Sequence, residues 1–210
     1  MKLGRLKKLD LRSEWKREDT DFTPWLANEE NIQLLSETIG IELEVQGQEE
    51  RVGPFSADIL CKDTINDHYV LIENQLEKTD HTHLGQLLTY AAGLDAVTII
   101  WIAQKFTEEH RAALDWLNRI TDNTFIFFGI EIELYTIGES KAAPMFNLIS
   151  KPNDWAKQVK KSATNQPVTE TKLLQQEYFL GLRDYMESQN SFVKMQAPLP
   201  AIKSITNELK

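Results

Sequence analysis

Two short runs of strand-forming residues in the middle of the chain each carry a carboxylate where a buried strand would hold only apolar side chains. Asp58 lies between Ala57 and Ile59, and Glu73 directly follows the apolar run 69–72. Continuous apolar runs of this length predict strands that are buried on both faces. An isolated carboxylate in such a strand is unfavourable unless it is paired, hydrogen-bonded or bound to a metal. These two acids therefore mark the candidate site.

The alternation of side chains along a strand predicts which groups surround Glu73. A period of two places Glu73 and Gln75 on one face and Asn74 on the other. If neighbouring strands bring Asp58 and Glu73 together, the oxygen-rich site suits Mg²⁺ or Mn²⁺ better than a soft metal. The alternative is that hydrogen bonds satisfy both acids and that no metal binds. The residues alone leave both interpretations open.

The segment after Glu73 predicts a helix. Thr79 and Asp80 offer oxygens that can cap its start. His81 and His83 lie in the first turn and lack a third partner for a zinc site at any recognisable spacing, so contact with phosphates or a loop hydrogen bond is the better interpretation. Gln86 and Tyr90, four residues apart, share a face that can present them together. The predicted apolar stripe comprises Leu84, Leu87, Leu88 and Ala91.

The remaining patterns predict a mixed β-sheet with helices on both sides, which is an α/β fold. Thr23 and Pro24 suit the start of a short helix, and the nearby Phe22 and Trp25 are interpreted as packing residues. Gly40 is expected to end the following helix in a left-handed conformation. The segment 161–210 is interpreted as a linker and a C-terminal helical extension. Helices are predicted at 29–39, 84–94 and 107–120, and strands at 41–45, 55–61, 69–76, 96–103, 124–128 and 130–137.

Several motifs in this order resemble known nucleases. Asp58, a spacer and then Glu73-Asn74-Gln75 resemble the active-site signature of the PD-(D/E)XK nuclease superfamily, with Gln75 in place of the usual lysine. Gln86 to Tyr90 matches the Q-x-x-x-Y motif of its RecB-like branch. The sequences DFTPWL at 21–26, ENQ at 73–75 and PNDW at 152–155 are also similar to a bacterial domain-of-unknown-function family with a nuclease-like N-terminal half. The resemblance covers roughly residues 1 to 160.

The resemblance implies a restriction-endonuclease-like domain over 1–160, with 161–210 as an extension or the beginning of a second domain. It implies metal-dependent hydrolysis of phosphodiester bonds, in DNA first, with RNA left open, and a possible homodimer. The alternative is a nuclease fold that has lost catalysis and serves in nucleic-acid binding or protein assembly. The implied ligands of Mg²⁺ or Mn²⁺ are Asp58, Glu73 and the carbonyl of Asn74. The implied catalytic set adds Gln75, and the supporting residues are Glu37, Gln86, Tyr90, Lys78 and His81.

Composition limits the class of protein. The chain has 210 residues and a net charge of −9, which argues against a general electrostatic binder of nucleic acid. It does not argue against a nuclease, because basic residues gather at 2–17 and 151–161. The single cysteine, Cys61, excludes an internal disulfide and fits a reducing cytoplasm, where it would pack as a small hydrophobe. The longest apolar run, near 96–103, is too short to span a bilayer, so we expect a cytoplasmic protein without membrane contact.

Overall fold

A computed structural model describes residues 3–52, 55–121, 125–152 and 185. Contacts divide the chain into two units, Met1–Thr164 and Asn165–Lys210, and the first of these carries the sheet and the candidate site. The predicted linker and helical extension lie outside the described residues, apart from the exposed Tyr185.

The described elements alternate between strands and helices along the chain. Two short irregular turns, a 3₁₀ turn at Leu11–Ser13 and a π-helical turn at Glu18–Phe22, connect the first strand to the first helix. The strands are β1 Leu6–Leu9, β2 Leu43–Val52, β3 Phe55–Asp63, β4 Tyr69–Lys78, β5 Thr98–Lys105, β6 Ile126–Ile137 and β7 Ala143–Ser150. The helices are α1 Thr23–Leu26, α2 Glu29–Ile39, α3 His81–Gly93 and α4 Glu108–Ile120.

These strands form one mixed sheet in the order β1-β6-β5-β4-β3-β2, with β7 also paired to β6. The central strands β4, β5 and β6 are parallel, and the other pairings are antiparallel. Parallel neighbours need crossover connections, and α3 and α4 supply the two that join β4 to β5 and β5 to β6. The predicted α/β class, a mixed sheet flanked by helices, is confirmed.

The two faces of the sheet bury separate apolar clusters, because successive strand residues point to opposite sides. Ile72 and Ile100 belong to the cluster beneath α1 and α2, whereas Leu71 and Trp101 belong to the cluster beneath α3 and α4. Burial of a large apolar side chain stabilises the fold by roughly 1.5–3 kcal/mol. The apolar runs that predicted buried strands therefore hold both layers of helices to the sheet.

The aromatic residues before α1 pack together, as predicted. The ring centroids of Trp15 and Phe22 lie 4.8 Å apart, and those of Phe22 and Trp25 lie 5.6 Å apart. Thr23 does not cap a helix, because its hydroxyl donates instead to the side chain of Asn74, 3.2 Å away.

Two predictions about the strands are wrong, and two strands were not predicted. The two strands predicted at 124–128 and 130–137 form one continuous strand, β6. Gly129 does not break it: this glycine pairs with Trp101 of β5, and a Cβ there would come within 2.9 Å of Leu114. The strand predicted at 41–45 begins later and continues to Val52. Strands β1 and β7 have no counterpart among the predicted elements, because their short or irregular patterns form strands only through pairing with β6.

Smaller expectations have mixed outcomes. Gly40 ends α2 with φ 71° and donates its N–H to the carbonyl of Ser36, as predicted. Leu88, placed in the apolar stripe of α3, is 39% exposed, and Tyr90 occupies the buried face instead. Cys61 is buried as expected, and burial raises the pKa of its thiol to about 12. Within the described ranges, no helix has the length and apolar character that a membrane span requires.

Candidate active site

Strands β3 and β4 separate where the two predicted acids lie. Their ladder ends at the pair Ile59 and Ile72, one residue before Asp58 and Glu73 would face each other. Beyond this pair, the backbone N–H of Asn74 on β4 donates to a side chain of β3 instead of to its backbone. The acceptor is Asp58 Oδ2, at 2.8 Å. The N–H of Asp58 points to Glu73 Oε1 at 3.4 Å. The predicted convergence of Asp58 and Glu73 is therefore present in the fold.

The two carboxylates are held in an environment that disfavours their charged forms. Glu73 is 3% exposed, and burial together with the charge of Asp58 raises its pKa to about 9. Burial also raises the pKa of Asp58 to about 6, although the N–H of Asn74 opposes this shift. In the described part of the chain, no lysine or arginine forms an ion pair with either acid. The pair therefore has no lysine or arginine among the described residues to stabilise its ionised form.

Two further acids, Glu49 and Glu18, act on this pair. Glu49 lies on β2 level with Asp58, since Gln48 pairs with Ile59 and Glu50 pairs with Ala57. Its backbone has the left-handed φ of 52°, and its charge raises the pKa of both buried acids, after burial itself.

Glu18 reaches the same region from the π-helical turn before α1. Its Oε1 accepts the N–H of Leu76 at 2.9 Å, where β4 leaves the ladder. Its charge also raises the pKa of Asp58, after burial and the larger effect of Glu49. Sequence reasoning missed this residue because 58 positions separate the two partners.

Glu37, the additional acid predicted from the helix before the first central strand, is placed differently. It is exposed on α2 and accepts a hydrogen bond from Gln33 one turn earlier. Because α2 packs against β2 and β7, no described contact brings this carboxylate to Asp58 or Glu73.

Gln75 is completely buried beside the pair, and its amide is fully used by other groups. Its Oε1 accepts the indole N–H of Trp101 at 2.9 Å. Its Nε2 donates to the carbonyl of Lys78 at 2.8 Å and lies 3.4 Å from Asp80 Oδ2. The exposed Lys78 side chain has no described contact with the acids. Gln75 therefore ties β4 to β5 and to the start of α3.

Asn74 lies on the opposite face of β4 from Glu73 and Gln75, as the alternation predicted. Its Oδ1 accepts a hydrogen bond from Thr23, and the side chain is 2% exposed. Its Nδ2 has no partner among the described residues. The predicted metal contact concerns the backbone carbonyl of this residue, and its N–H already orients Asp58.

The start of α3 places two histidines in different surroundings. Asp80 caps the helix, accepting the N–H of His83 at Oδ1, while its Oδ2 lies 2.8 Å from His83 Nδ1. His81 Nδ1 instead contacts Nε2 of the buried His110 at 2.9 Å, and His110 Nδ1 reaches Thr79. His81 thus links α3 to α4, whereas His83 is close enough to Asp58 to influence the pKa of that acid.

Gln86 and Tyr90 lie on α3, and Tyr90 is close enough to Glu73 and Asp58 for their charges to act on its phenol. Tyr90 is buried and hydrogen-bonds with the side chain of Gln86. Burial and the nearby charge of Glu73 raise the pKa of the phenol, which keeps it a neutral hydrogen-bonding group. The fold therefore brings the two residues of the Q-x-x-x-Y motif to the carboxylate pair.

A metal at this site would rely on few protein ligands. The described residues contain no group of three or more His, Cys, Asp and Glu side chains arranged to hold an ion. Two carboxylates and one carbonyl suit Mg²⁺, which usually keeps several waters and binds through one or two carboxylates. The donor set therefore fits a hard divalent ion that shares its coordination with water and substrate.

Comparisons with known proteins found likeness at the level of solved structures. No protein-family model matches the chain, and no curated protein matches it significantly. A repair endonuclease from Pyrococcus abyssi is 19% identical, with a TM-score of 0.39, over 45% of this chain and 41% of that one. The complex of EndoMS with double-stranded DNA is 19% identical, with a TM-score of 0.37, over 50% of this chain and 45% of that one. The chain thus spans less than half the length of either protein.

Proposed function

We propose that this protein is a divalent-metal-dependent nuclease of the PD-(D/E)XK type that hydrolyses phosphodiester bonds, most readily in DNA. The observation that carries the proposal is the adjacent pair of buried acids, Asp58 and Glu73, whose ionisation is suppressed by burial and, for Glu73, also by the charge of Asp58. Two ionised carboxylates in this position destabilise the fold unless a cation joins them. Buried acids with strongly raised pKa values are typical of functional sites and are not needed for packing.

The residues divide the work of such a site. Asp58, Glu73 and the Asn74 carbonyl would hold the ion, with Asp58 oriented by the Asn74 N–H. When bound, Mg²⁺ or Mn²⁺ lowers the pKa of a coordinated water and stabilises charge on the phosphoryl group. Tyr90, hydrogen-bonded to Gln86, would remain a neutral phenol near Glu73.

A second candidate function is a nuclease-derived module for nucleic-acid binding or protein assembly. One observation favours it: Gln75, at the position of the usual lysine, has its amide fully engaged in structural hydrogen bonds. The basic N-terminal stretch is also partly neutralised, because Lys8 pairs with Glu133 and Arg12 pairs with both Glu18 and Glu77.

Cleavage assays distinguish these functions. Single- and double-stranded DNA and RNA are incubated with the protein and Mg²⁺ or Mn²⁺, using wild type, Asp58→Asn, Glu73→Gln and the exposed control Glu44→Gln. The proposal predicts cleavage by wild type and by the control, and at least a hundredfold loss in both site variants. Cleavage that persists in both site variants contradicts it. Binding of nucleic acid without cleavage by the wild type supports the module.

A further inference from the structure

Within the proposed nuclease site, the lysine position is filled by a residue that cannot accept or carry a proton at neutral pH. Gln75 is 1% exposed, and its oxygen and both amide hydrogens are directed at Trp101, Lys78 and Asp80. An amide held in this way has no free group to offer an attacking water. The task of the usual lysine must therefore fall to another side chain.

The hydrogen bonds of Gln75 connect it through Asp80 to a histidine, His83. Gln75 Nε2 faces Asp80 Oδ2, and the same oxygen lies 2.8 Å from His83 Nδ1. The other oxygen of Asp80 accepts the backbone N–H of His83, so one carboxylate fixes both the helix start and the imidazole. The chain of contacts runs from Trp101 through Gln75 and Asp80 to His83.

These contacts determine which nitrogen of His83 carries the proton. Although burial raises the pKa of Asp80, hydrogen bonds from the N–H and the imidazole of His83 lower it further, so the carboxylate is ionised. An ionised carboxylate only accepts hydrogen bonds, which places the proton of neutral His83 on Nδ1. Nε2 then holds a lone pair and has no hydrogen-bond partner among the described residues. The imidazole is therefore available as a base.

His83 also lies on the correct side of the sheet. Its side chain is 26% exposed, which leaves it accessible to a ligand. His83 precedes Gln86 by three residues and Tyr90 by seven, so all three share one face of α3. Tyr90 on this face is close enough to Asp58 and Glu73 for their charges to act on its phenol. When His83 is protonated, its charge lowers the pKa of Asp58, against burial and the charge of Glu49. His81, two residues earlier, is engaged by His110 instead.

We propose that His83 is the general base of this site and that Asp80 and Gln75 are its positioning residues. This inference rests on the proposed nuclease function. In the step, a water oxygen attacks the phosphorus while Nε2 of His83 takes one of its protons. The bond from phosphorus to the leaving oxygen breaks, and that oxygen gains a proton from solvent. The imidazolium formed is stabilised by the Asp80 carboxylate, as in other histidine–aspartate pairs.

The test compares cleavage of the best substrate by wild type, His83→Ala and the exposed control His68→Gln, with Mg²⁺ present. We expect kcat to fall by about 10²–10⁴-fold in His83→Ala with little change in KM, because general-base catalysis contributes about that factor. Added imidazoles should restore part of the rate, and more basic imidazoles should restore more. A purely structural role for His83 would show neither rescue nor dependence on basicity.

A second variant tests the positioning role without relying on activity. Asp80→Asn keeps a good helix cap but can present an amide N–H to His83, which would move the imidazole proton from Nδ1 to Nε2. ¹⁵N NMR of the imidazole should show the Nδ1–H form in wild type and the Nε2–H form in Asp80→Asn. The Nε2–H form in wild type would overturn the assignment.

The outcomes separate the two proposals. Full activity in His83→Ala, with Asp58→Asn inactive, overturns the role of His83 and leaves the nuclease function standing. A wild-type protein that cleaves nothing refutes the nuclease function and the role of His83 with it. Thermal unfolding and a Mg²⁺-induced increase in Tm equal to that of the wild type show that His83→Ala is folded and still binds the ion.

Discussion

Replacing Glu73 by glutamine should stabilise the metal-free protein, although it removes a proposed metal ligand. The folded state raises the pKa of this acid from 4.5 to about 9, because the group is buried next to Asp58. At pH 8 the unfolded chain releases a proton that the folded chain retains, so folding is opposed by roughly 3–5 kcal/mol. Replacing the acid removes this penalty. The glutamine amide, buried with incomplete hydrogen bonds, lowers the free energy of unfolding again by about 1–2 kcal/mol. A net stabilisation of roughly 1–4 kcal/mol remains.

The sign of the pH dependence follows from the same shift. An acid with a raised pKa in the folded state binds its proton more tightly there, so its stabilising effect is present at and below the unfolded value of 4.5. Stability is then lost as the pH rises from that value through about 9. At pH 5 the penalty in the wild type is below roughly 1 kcal/mol, and the advantage of the glutamine should disappear.

The assay is thermal unfolding by circular dichroism in EDTA at pH 5 and pH 8. For a domain of this size, the expected gain at pH 8 corresponds to an increase in Tm of about 2–16 °C. Glu44→Gln is the matched control, because Glu44 is exposed on β2 and should change stability by less than about 0.5 kcal/mol. Equal Tm values for wild type and Glu73→Gln at pH 8, or the same gain at both pH values, would refute the reasoning.

Other regions give further predictions. Mg²⁺ at a hundred times its Kd should stabilise the wild type by about 2.7 kcal/mol in thermal unfolding at pH 8, and an equal increase in Asp58→Asn would contradict this. Gly85→Ala in the exposed middle of α3 should stabilise by about 0.5–1 kcal/mol in chemical unfolding, since its Cβ meets nothing within 4 Å. Gly129→Ala should destabilise by about 1–3 kcal/mol, and a neutral result would contradict the close packing. Burial, and then the charge of His81, lower the pKa of the His110 imidazole, so NMR titration should give a pKa below the ordinary value for histidine. A measured pKa at or above that value would contradict this prediction.

The central strands of the fold were predictable because their sequences are apolar on both faces of the strand. The runs around Ile72 and Ile100 must be apolar on both faces, and only a strand covered by helices on each side satisfies that requirement. Strand β1 carries two lysines in four residues and becomes a strand only because β6 extends past the end of β5. The sequence predicts two strands on either side of Gly129 because the packing of this glycine against Leu114 and Phe106 involves residues distant in sequence.

The candidate site was predictable where its residues lie on strands that follow each other. Asp58 and Glu73 converge because β3 and β4 form a hairpin, which a short turn between apolar runs indicates. Glu18 arrives from an irregular turn that has no sequence signature, and Glu49 faces Asp58 only because a bulge shifts the register of β2. The contact between Asp80 and His83 had a readable signal, an N-cap acid three residues before a histidine.

We propose above that Asp58 and Glu73 together bind a divalent cation. The most direct measurement is calorimetric titration of Mn²⁺ into the metal-free protein at pH 8, repeated in buffers of different ionisation enthalpy. The account predicts binding to the wild type with release of about one proton, since Glu73 must give up its proton to act as a ligand. It predicts loss of that binding in Asp58→Asn and Glu73→Gln but not in Glu44→Gln. The same affinity in all four proteins would contradict it.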